Sequence, residues 1–168
     1  CGDPDHAGCI GSACPAIIHY IEKYRPELAD QIVPVVSPMI AHARMLKERL
    51  GPAWRVVFIG PCAAKKQEAA RPEYEGAVDA VLTFTELQDW LSEENIDLAT
   101  CVDSDFESPD PIAAASGLEN ARLFALAGGM LKTAEIENDG VRPDVLHTSG
   151  PDAVMGLLDI PSSGWAYR

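Results

Sequence analysis

The chain has 168 residues, of which 47% are hydrophobic, and this is enough for one domain with a buried core. Its formal net charge of −13 argues against nucleic acid or an anionic membrane as the main partner, because both would repel the chain. No apolar run reaches the roughly 18 residues that span a bilayer, and no signal segment opens the chain, so we expect a cytoplasmic protein without a membrane span. The five cysteines form no regular disulfide framework, which fits a reducing compartment.

Residues 1–13 are rich in Gly, Asp and small side chains, which predicts a loop leader. Cys1, Cys9 and Cys14 are compatible with a metal site that includes His6, but their C-x7-C-x4-C spacing matches no common zinc pattern. The alternative is a flexible leader whose cysteines have no function.

The first predicted helix begins at Cys14-Pro15, since proline is favoured at the first helical position. Cys14 therefore lies at a helix N-terminus, where the macrodipole and the free N–H groups favour the thiolate form. The apolar face of this helix is predicted to contain Ile17, Ile18, Ile21 and Tyr24.

A second helix is predicted after Ser37-Pro38, which is an N-cap and first-turn signal, and Gly51 closes it. Residues 32–36 are apolar but contain Pro34, so they form either an edge strand or an extended connector. The apolar repeat of this helix consists of Met39, Ala43, Leu46 and Leu50.

The stretch 55–68, R-V-V-F-I-G-P-C-A-A-K-K-Q-E, combines a strand with a reactive loop. Its run Val56 to Ile59 predicts a buried strand, which Gly60-Pro61 ends. Cys62 then lies at the carboxyl end of a parallel strand, where α/β folds place their ligands. The two lysines that follow favour its thiolate, the form that binds metal or acts as a nucleophile. The alternative is a small buried cysteine.

A second buried strand is predicted at Val78 to Thr83, and the next helix starts with a capping box of Thr85 and Gln88. Leu87, Trp90 and Leu91 are predicted to face inward on this helix.

Farther along, residues 103–111 predict a solvated acidic loop, residues 145–148 a third strand, and Pro151 the start of a helix. The alternation of strands and helices without hairpin turns predicts an α/β fold, with a parallel sheet of βαβ units flanked by helices. We expect residues 14–158 to form this body, and residues 159–168 to form a polar tail.

Two loops and one glycine pair give the chain a resemblance to a known family, the C-terminal domain of the large subunit of iron-only ([FeFe]) hydrogenases. Ser12-Ala13-Cys14-Pro15 matches its T-S-C-C-P loop, and the G-P-C-A-A-K-K-Q-E run at 60–68 matches its M-P-C-x-x-K-K-x-E loop. Gly128-Gly129 ends a run similar to its F-G-A-T-G-G. The matches keep their order over roughly residues 10–158 and resemble one lobe of the family's two-lobed catalytic domain.

The resemblance implies that Cys14 and Cys62 are ligands of the cubane [4Fe–4S] part of the H-cluster, the family's cofactor, which also has a diiron subcluster. It implies that Lys65 donates to a cyanide ligand of that subcluster, and that Glu68 holds the lysine or its loop in place. The other residues that the resemblance places around the cofactor are Ala13, Pro15, Gly60, Pro61, Phe124 and Ala125.

Three positions depart from the family's pattern. Active members have a proton-relaying cysteine where this chain has Ala13, a serine of the same relay where it has Val33, and a methionine where it has Gly60. General acids supply about 10²–10⁴-fold in rate, so we expect slow proton delivery, as in the sensory branch of the family. The family's third cysteine loop has no counterpart here, so the other two ligands are expected from a second lobe or a partner chain.

The resemblance thus implies the first lobe of a sensory-type hydrogenase domain, with H2 and protons as substrates and a ferredoxin-like electron carrier as partner. We expect the chain alone to be inactive. The alternatives are a cluster-free interaction domain on the same fold, or an iron–sulfur assembly protein that resembles the hydrogenase-like Nar family.

Overall fold

The computed structural model describes residues 9–104 and 150–159. Residues 9–103 belong to one compact unit, and the described residues 150–159 belong to a second unit. The predicted strand at 145–148, most of the acidic loop, and the site residues Phe124 and Ala125 lie outside the described residues. The elements of the first unit are α1 (Pro15–Tyr24), α2 (Pro38–Leu50), β1 (Val57–Ile59), α3 (Ala64–Ala69), β2 (Ala80–Leu82) and α4 (Phe84–Glu93), and α5 (Pro151–Leu158) belongs to the second unit.

The sheet of the first unit consists of β1 and β2, which pair in parallel. Helix α3 lies in the connection between them, so the three elements form a βαβ unit. The predicted α/β fold is thereby confirmed, although both strands are shorter than predicted. Among the helices of the described stretches, none combines the length and the apolar character that a membrane crossing requires.

A hydrophobic cluster of the first unit packs against one face of this sheet. Helix α2 contributes Met39, Ile40 and Ala43, which are buried together with Ala77 and Val78 from the segment before β2. The partly buried Phe58 of β1 and Val81 of β2 pack against this cluster. Because side chains alternate along a strand, the neighbours of Phe58 point to the opposite face. Val57 and Ile59 are 46% and 43% exposed, so the prediction of a buried strand is wrong for these two residues.

The bounds of α2 are those predicted from the sequence. The Ser37 side chain accepts a hydrogen bond from the Ile40 backbone N–H at 3.5 Å, which satisfies one of the free donors of the first turn. The helix ends at Gly51, whose φ of +95° favours glycine. Residues 32–36 form an extended connector, in which only Ile32 makes a ladder bridge, to Ile10.

Three further expectations about side chains are corrected. Tyr24 is 60% exposed because it ends α1, where its ring contacts Tyr20 at a centroid distance of 5.4 Å. Trp90 is 51% exposed, so it does not face a core within the described unit. Cys9 is disulfide-bonded, which the irregular cysteine spacing gave no reason to expect. By contrast, Cys14, Cys62 and Cys101 are free thiols.

The capping box of α4 is formed by Thr83 and Glu86, two residues before the predicted pair. Glu86 N–H donates to Thr83 Oγ1 at 3.3 Å, and Thr83 N–H donates to Glu86 Oε2 at 2.8 Å. Replacing Thr83 by alanine should lower the free energy of unfolding by about 1 kcal/mol, the usual effect of losing an N-cap. The matched control is Thr85→Ala, which removes the predicted cap and should change this free energy far less. Chemical denaturation followed by circular dichroism measures both, and equal losses would contradict the assignment.

Asp79 joins the start of β1 to α2. Its carboxylate accepts from Lys47 Nζ and from Arg55 Nη1, both at 2.7 Å, and from the Val56 backbone N–H at 2.8 Å. The hydrogen bond from Lys47, followed by those from Val56 and Arg55, holds the pKa of Asp79 well below its usual value of 3.8.

This lowered pKa predicts a pH dependence of stability. A carboxyl group whose pKa is depressed by folding stabilises the folded state above its unfolded pKa, and this contribution is lost as the pH falls through the folded value. Asp79→Asn should therefore be less stable than the wild type at about pH 6, and the difference should shrink below about pH 4. Urea unfolding across this range measures it, and Asp89→Asn on α4 is the control. A constant difference at every pH would contradict the prediction.

Candidate functional site

The first cysteine loop ends at α1. Cys14 is the N-cap residue, and its carbonyl accepts hydrogen bonds from the backbone N–H groups of Ile17 and Ile18 at 3.1 and 3.2 Å. Pro15 occupies the first helical position and is buried, which fixes the loop against the unit. Cys14 itself is exposed and its thiol is free. The predicted placement of a thiol at a helix N-terminus is therefore confirmed.

The second cysteine loop joins β1 to α3. Gly60 N–H donates to the Leu82 carbonyl at 3.0 Å and continues the ladder for one residue, after which Pro61 has no N–H to offer. The Cys62 carbonyl then accepts from the Lys65 backbone N–H at 3.1 Å, in the turn that opens α3. Cys62 is partly buried and free. The strand, loop and helix thus follow one another as predicted.

Gly60 is buried directly against the ring of Phe58. A Cβ atom at position 60 would lie 2.8 Å from Phe58 Cε1 and 3.1 Å from Cζ, which is too close for a real side chain. The Phe58 ring therefore occupies the space into which a side chain at position 60 would extend. A larger residue there would require this ring to move.

Lys65 joins the two cysteine loops. Its Nζ donates to Glu68 Oε2 at 2.7 Å and to the backbone carbonyl of Ala13 at 3.2 Å. The side chains of Lys65 and Glu68 are only 11% and 7% exposed, so this ion pair is largely shielded from water. Since Ala13 precedes Cys14 directly, the lysine that follows Cys62 holds the other cysteine's loop beside its own.

Arg71, which lies just after α3, makes a second contact between the α1 and α3 regions. Its guanidinium pairs with Glu22 of α1 and donates from Nε to His19 Nε2 at 3.4 Å. Burial lowers the pKa of Arg71, but the hydrogen bond and the charge of Glu22 outweigh this effect and raise it above its usual value. The raised pKa means that Arg71 stays charged, so its guanidinium remains a cationic partner for the carboxylate of Glu22 on α1.

Lys66 turns away from the cysteine loop and pairs with Glu86 at the start of α4. The hydrogen bond from Lys66, followed by those from the backbone and hydroxyl of Thr83, lowers the pKa of Glu86 to about 2. Both lysines after Cys62 are thus paired with carboxylates.

A cavity of about 300 Å³ lies beside the first loop and is lined by Ser12, Val33, Glu68 and Arg71, among others. Ser12 Oγ is fully buried and has no hydrogen-bond partner within the described unit. A buried hydroxyl without a hydrogen-bond partner is costly, so Ser12 Oγ is an unsatisfied polar atom beside the first cysteine loop. Sequence reasoning missed Ser12 and Arg71, since their contacts depend on residues distant in the chain.

The described residues bring together most of the predicted site. Ala13, Cys14 and Pro15 on one loop, and Gly60, Pro61, Cys62, Lys65 and Glu68 on the other, belong to the same compact unit. Within the two described stretches, however, no three His, Cys, Asp or Glu side chains are grouped closely enough to hold a metal ion.

Comparison with known proteins identifies relatives of this arrangement. The family model described as the iron only hydrogenase large subunit, C-terminal domain, matches residues 5–148. The NADP-reducing hydrogenase subunit HndD of Solidesulfovibrio fructosivorans is 33% identical over 136 residues, which are 74% of this chain and 23% of that protein. The cytosolic Fe-S cluster assembly factor NAR1 of Vanderwaltozyma polyspora is 38% identical over 88 residues, which are 52% of this chain and 17% of that protein.

The solved structures give the same result for the fold. A variant of the [FeFe]-hydrogenase HydA1 from Chlamydomonas reinhardtii superposes with a TM-score of 0.52 at 30% identity. The match covers 59% of this chain and 28% of that chain. The chain therefore spans less than a third of the length of each of these relatives.

Proposed function

Because the chain belongs to the family formed by the C-terminal domains of iron-only hydrogenase large subunits, we propose that it supplies two cysteine ligands, Cys14 and Cys62, to an iron–sulfur cluster of a larger hydrogenase-like protein. The observation that carries this proposal is the contact of Lys65 with Ala13, which holds two loops with free thiols side by side. Thiolates are the preferred ligands of iron–sulfur clusters.

The described cysteines are the right type of ligand for such a cofactor, but there are fewer of them than the cofactor requires. A [4Fe–4S] cluster takes four cysteine thiolates, and the described residues offer two free thiols on adjoining loops. The unpartnered hydroxyl of Ser12, two residues before Cys14, fits a nearby acceptor such as a cluster sulfide or the thiolate itself. The remaining ligands belong to a second lobe or a partner chain in this proposal.

An H-cluster, when bound, supplies electron storage in its cubane and a diiron site for hydrogen chemistry. Lys65 is the residue of this chain that we assign to the diiron side. An ammonium group has three donors, and the contacts with Glu68 and Ala13 use two of them. The third donor is available to a small anionic ligand in a shielded pocket, and the contact with Glu68 orients the lysine.

The first loop is poorly equipped to move protons. Ala13 has no exchangeable proton, and Val33, which lines the cavity beside this loop, has none either. Since a missing general acid lowers a rate by about 10²–10⁴-fold, we assign the parent protein to hydrogen sensing or slow turnover. H2, protons and a ferredoxin-like electron carrier are its reactants and partner in this assignment, and the cytoplasm is its compartment.

A second candidate is a role in iron–sulfur cluster assembly without hydrogen chemistry. It is favoured by the identity of 38% with the assembly factor of Vanderwaltozyma polyspora over a segment of 88 residues. Loss of the proton relay at Ala13 suits this role equally, because cluster assembly does not need it.

The test is anaerobic purification of the protein expressed from its own gene in the source organism. Iron, acid-labile sulfide and the electron paramagnetic resonance spectrum report the cluster, and dye-coupled H2 uptake reports hydrogen chemistry. A cluster with slow H2 uptake is the expected result. A cluster without any H2 uptake favours the assembly role, and the absence of iron and sulfide would exclude both.

A further inference from the structure

Arg71 is a charged residue beside the cavity that the proposed function does not use. Its guanidinium pairs with Glu22 in the last turn of α1 and with Glu73 at 3.3 Å, and its Nε donates to His19 Nε2 at 3.4 Å. Glu22 and His19 lie 49 and 52 positions earlier in the chain. Because a guanidinium is a planar fork with five donors, it holds several acceptors in one geometry. Arg71 therefore joins the segment after α3 to the far end of α1.

The contact made by Lys65 fixes α1 near its other end. Lys65 Nζ donates to the carbonyl of Ala13, which directly precedes Cys14. From Cys14 to Glu22 the helix advances about 12 Å, at a rise of roughly 1.5 Å per residue. A single contact fixes one point and lets a helix pivot about it, whereas a second contact at this separation also fixes the direction of the helix.

The direction of α1 sets the direction of the Cys14 side chain. The Cys14 carbonyl accepts from the backbone N–H groups of Ile17 and Ile18 at 3.1 and 3.2 Å, so this residue turns with the helix. The cavity of about 300 Å³ is lined by Ile18 of α1 and by Glu68 of α3, and side chains that line a cavity make fewer packing contacts. Polar contacts between the two helices therefore carry a larger share of this constraint.

We propose that Arg71 is a positioning residue, which holds Glu22 and thereby fixes the angle at which Cys14 faces the Cys62 loop. This rests on the proposed function, in which both thiols bind one cluster. A cluster has a fixed size, so its ligands must be held within about 0.5 Å of their bonding positions. The effect is on this geometry more than on stability, because a pair whose carboxylate is 45% exposed contributes little to stability.

Glu22→Gln and Glu73→Gln are the matched variants that test the proposal. Each removes one carboxylate partner of Arg71, and these side chains are 45% and 52% exposed, but only Glu22 belongs to α1. The protein is expressed from its own gene, stripped of any iron with a chelator, and treated with bis-maleimides of graded span. Mass spectrometry then quantifies, for each span, the peptide pair that joins Cys14 to Cys62.

One span should dominate in the wild type, because the two thiols are held in one arrangement. Glu22→Gln should reduce this preference by about threefold or more, since reaction between positioned groups depends steeply on their geometry, and Glu73→Gln should keep it. Arg71→Gln should reproduce the loss, and adding Glu22→Gln to it should cause no further loss, because both substitutions remove the same contact.

Unfolding by urea separates positioning from a merely structural role. Glu22→Gln and Glu73→Gln should unfold at nearly the same midpoint although only Glu22→Gln changes the span preference. A lower midpoint for Glu22→Gln with an unchanged span preference, equal preferences in both variants, or no preferred span in the wild type would each overturn the proposal. The crosslinking needs no cluster, so a wild type that is purified without iron but has one preferred span refutes the proposed function and leaves the role of Arg71 in place.

Discussion

Replacing Glu68 by alanine is expected to lower the free energy of unfolding by about 3–5 kcal/mol, because it leaves the shielded ammonium of Lys65 without its carboxylate. The two side chains are only 11% and 7% exposed, so water replaces the lost partner poorly. The Ala13 carbonyl remains as an acceptor at 3.2 Å, but it carries no formal charge. Denaturation with urea, followed by far-ultraviolet circular dichroism, measures the loss.

The matched control for this variant is Glu73→Ala. Glu73 pairs with Arg71 at 3.3 Å, but its side chain is 52% exposed, so its loss should cost less than about 1 kcal/mol. Adding Lys65→Met to the Glu68 variant should restore part of the stability, since no charge is then left buried. Equal effects of Glu68→Ala and Glu73→Ala, or no restoration in the double variant, would show that shielding of the Lys65 pair is unimportant.

Signals confined to a few neighbouring residues were sufficient to predict the order of elements. Ser37-Pro38 and Gly51 bound α2, and Pro15 opens α1, because capping depends on hydrogen bonds within one turn. The strand, cysteine loop and helix of the second loop followed from β-branched residues and the Gly60-Pro61 pair. Each of these features depends on residues that are close together in the chain, so each can be predicted from a single sequence.

The cap of α4 illustrates where local signals become ambiguous. Thr83 with Glu86 and Thr85 with Gln88 both match the capping-box pattern, so the sequence alone could not distinguish them. The structure selects the first pair, and Lys66 contributes to this choice because it binds the Glu86 carboxylate from α3. The capping residue Glu86 is thus also held by a contact with a residue 20 positions earlier, which no pattern within one turn contains.

The candidate site shows the same limit more strongly. The residue pattern predicted two thiols at the ends of two loops, but no pattern links Lys65 to a carbonyl 52 positions earlier. The apolar run from Val56 to Ile59 predicts a buried strand, yet Val57 and Ile59 are exposed. A continuous apolar run indicates which residues are buried in the complete fold. Within the described unit, the hydrophobic cluster covers only one side of β1.

Loss of either loop cysteine is expected to have the largest effect on the cofactor. Cys14→Ala and Cys62→Ala should each lose most of the bound iron and acid-labile sulfide of the anaerobically purified protein, because a [4Fe–4S] cluster depends on its full set of thiolates. The matched control is Cys101→Ala, which removes another exposed free thiol and should retain the cluster. Iron and sulfide analyses, with the visible absorption spectrum, measure all three variants.

The two loop variants should also differ in what they leave intact. Cys14 is exposed, and its carbonyl rather than its thiol makes the hydrogen bonds that begin α1, so Cys14→Ala should leave the unfolding midpoint nearly unchanged. A cluster lost without a change in the fold identifies the thiol as a ligand rather than a packing group. If Cys14→Ala and Cys101→Ala retain iron equally, Cys14 is no ligand, and the contact between Lys65 and Ala13 then serves only to pack α3 against α1.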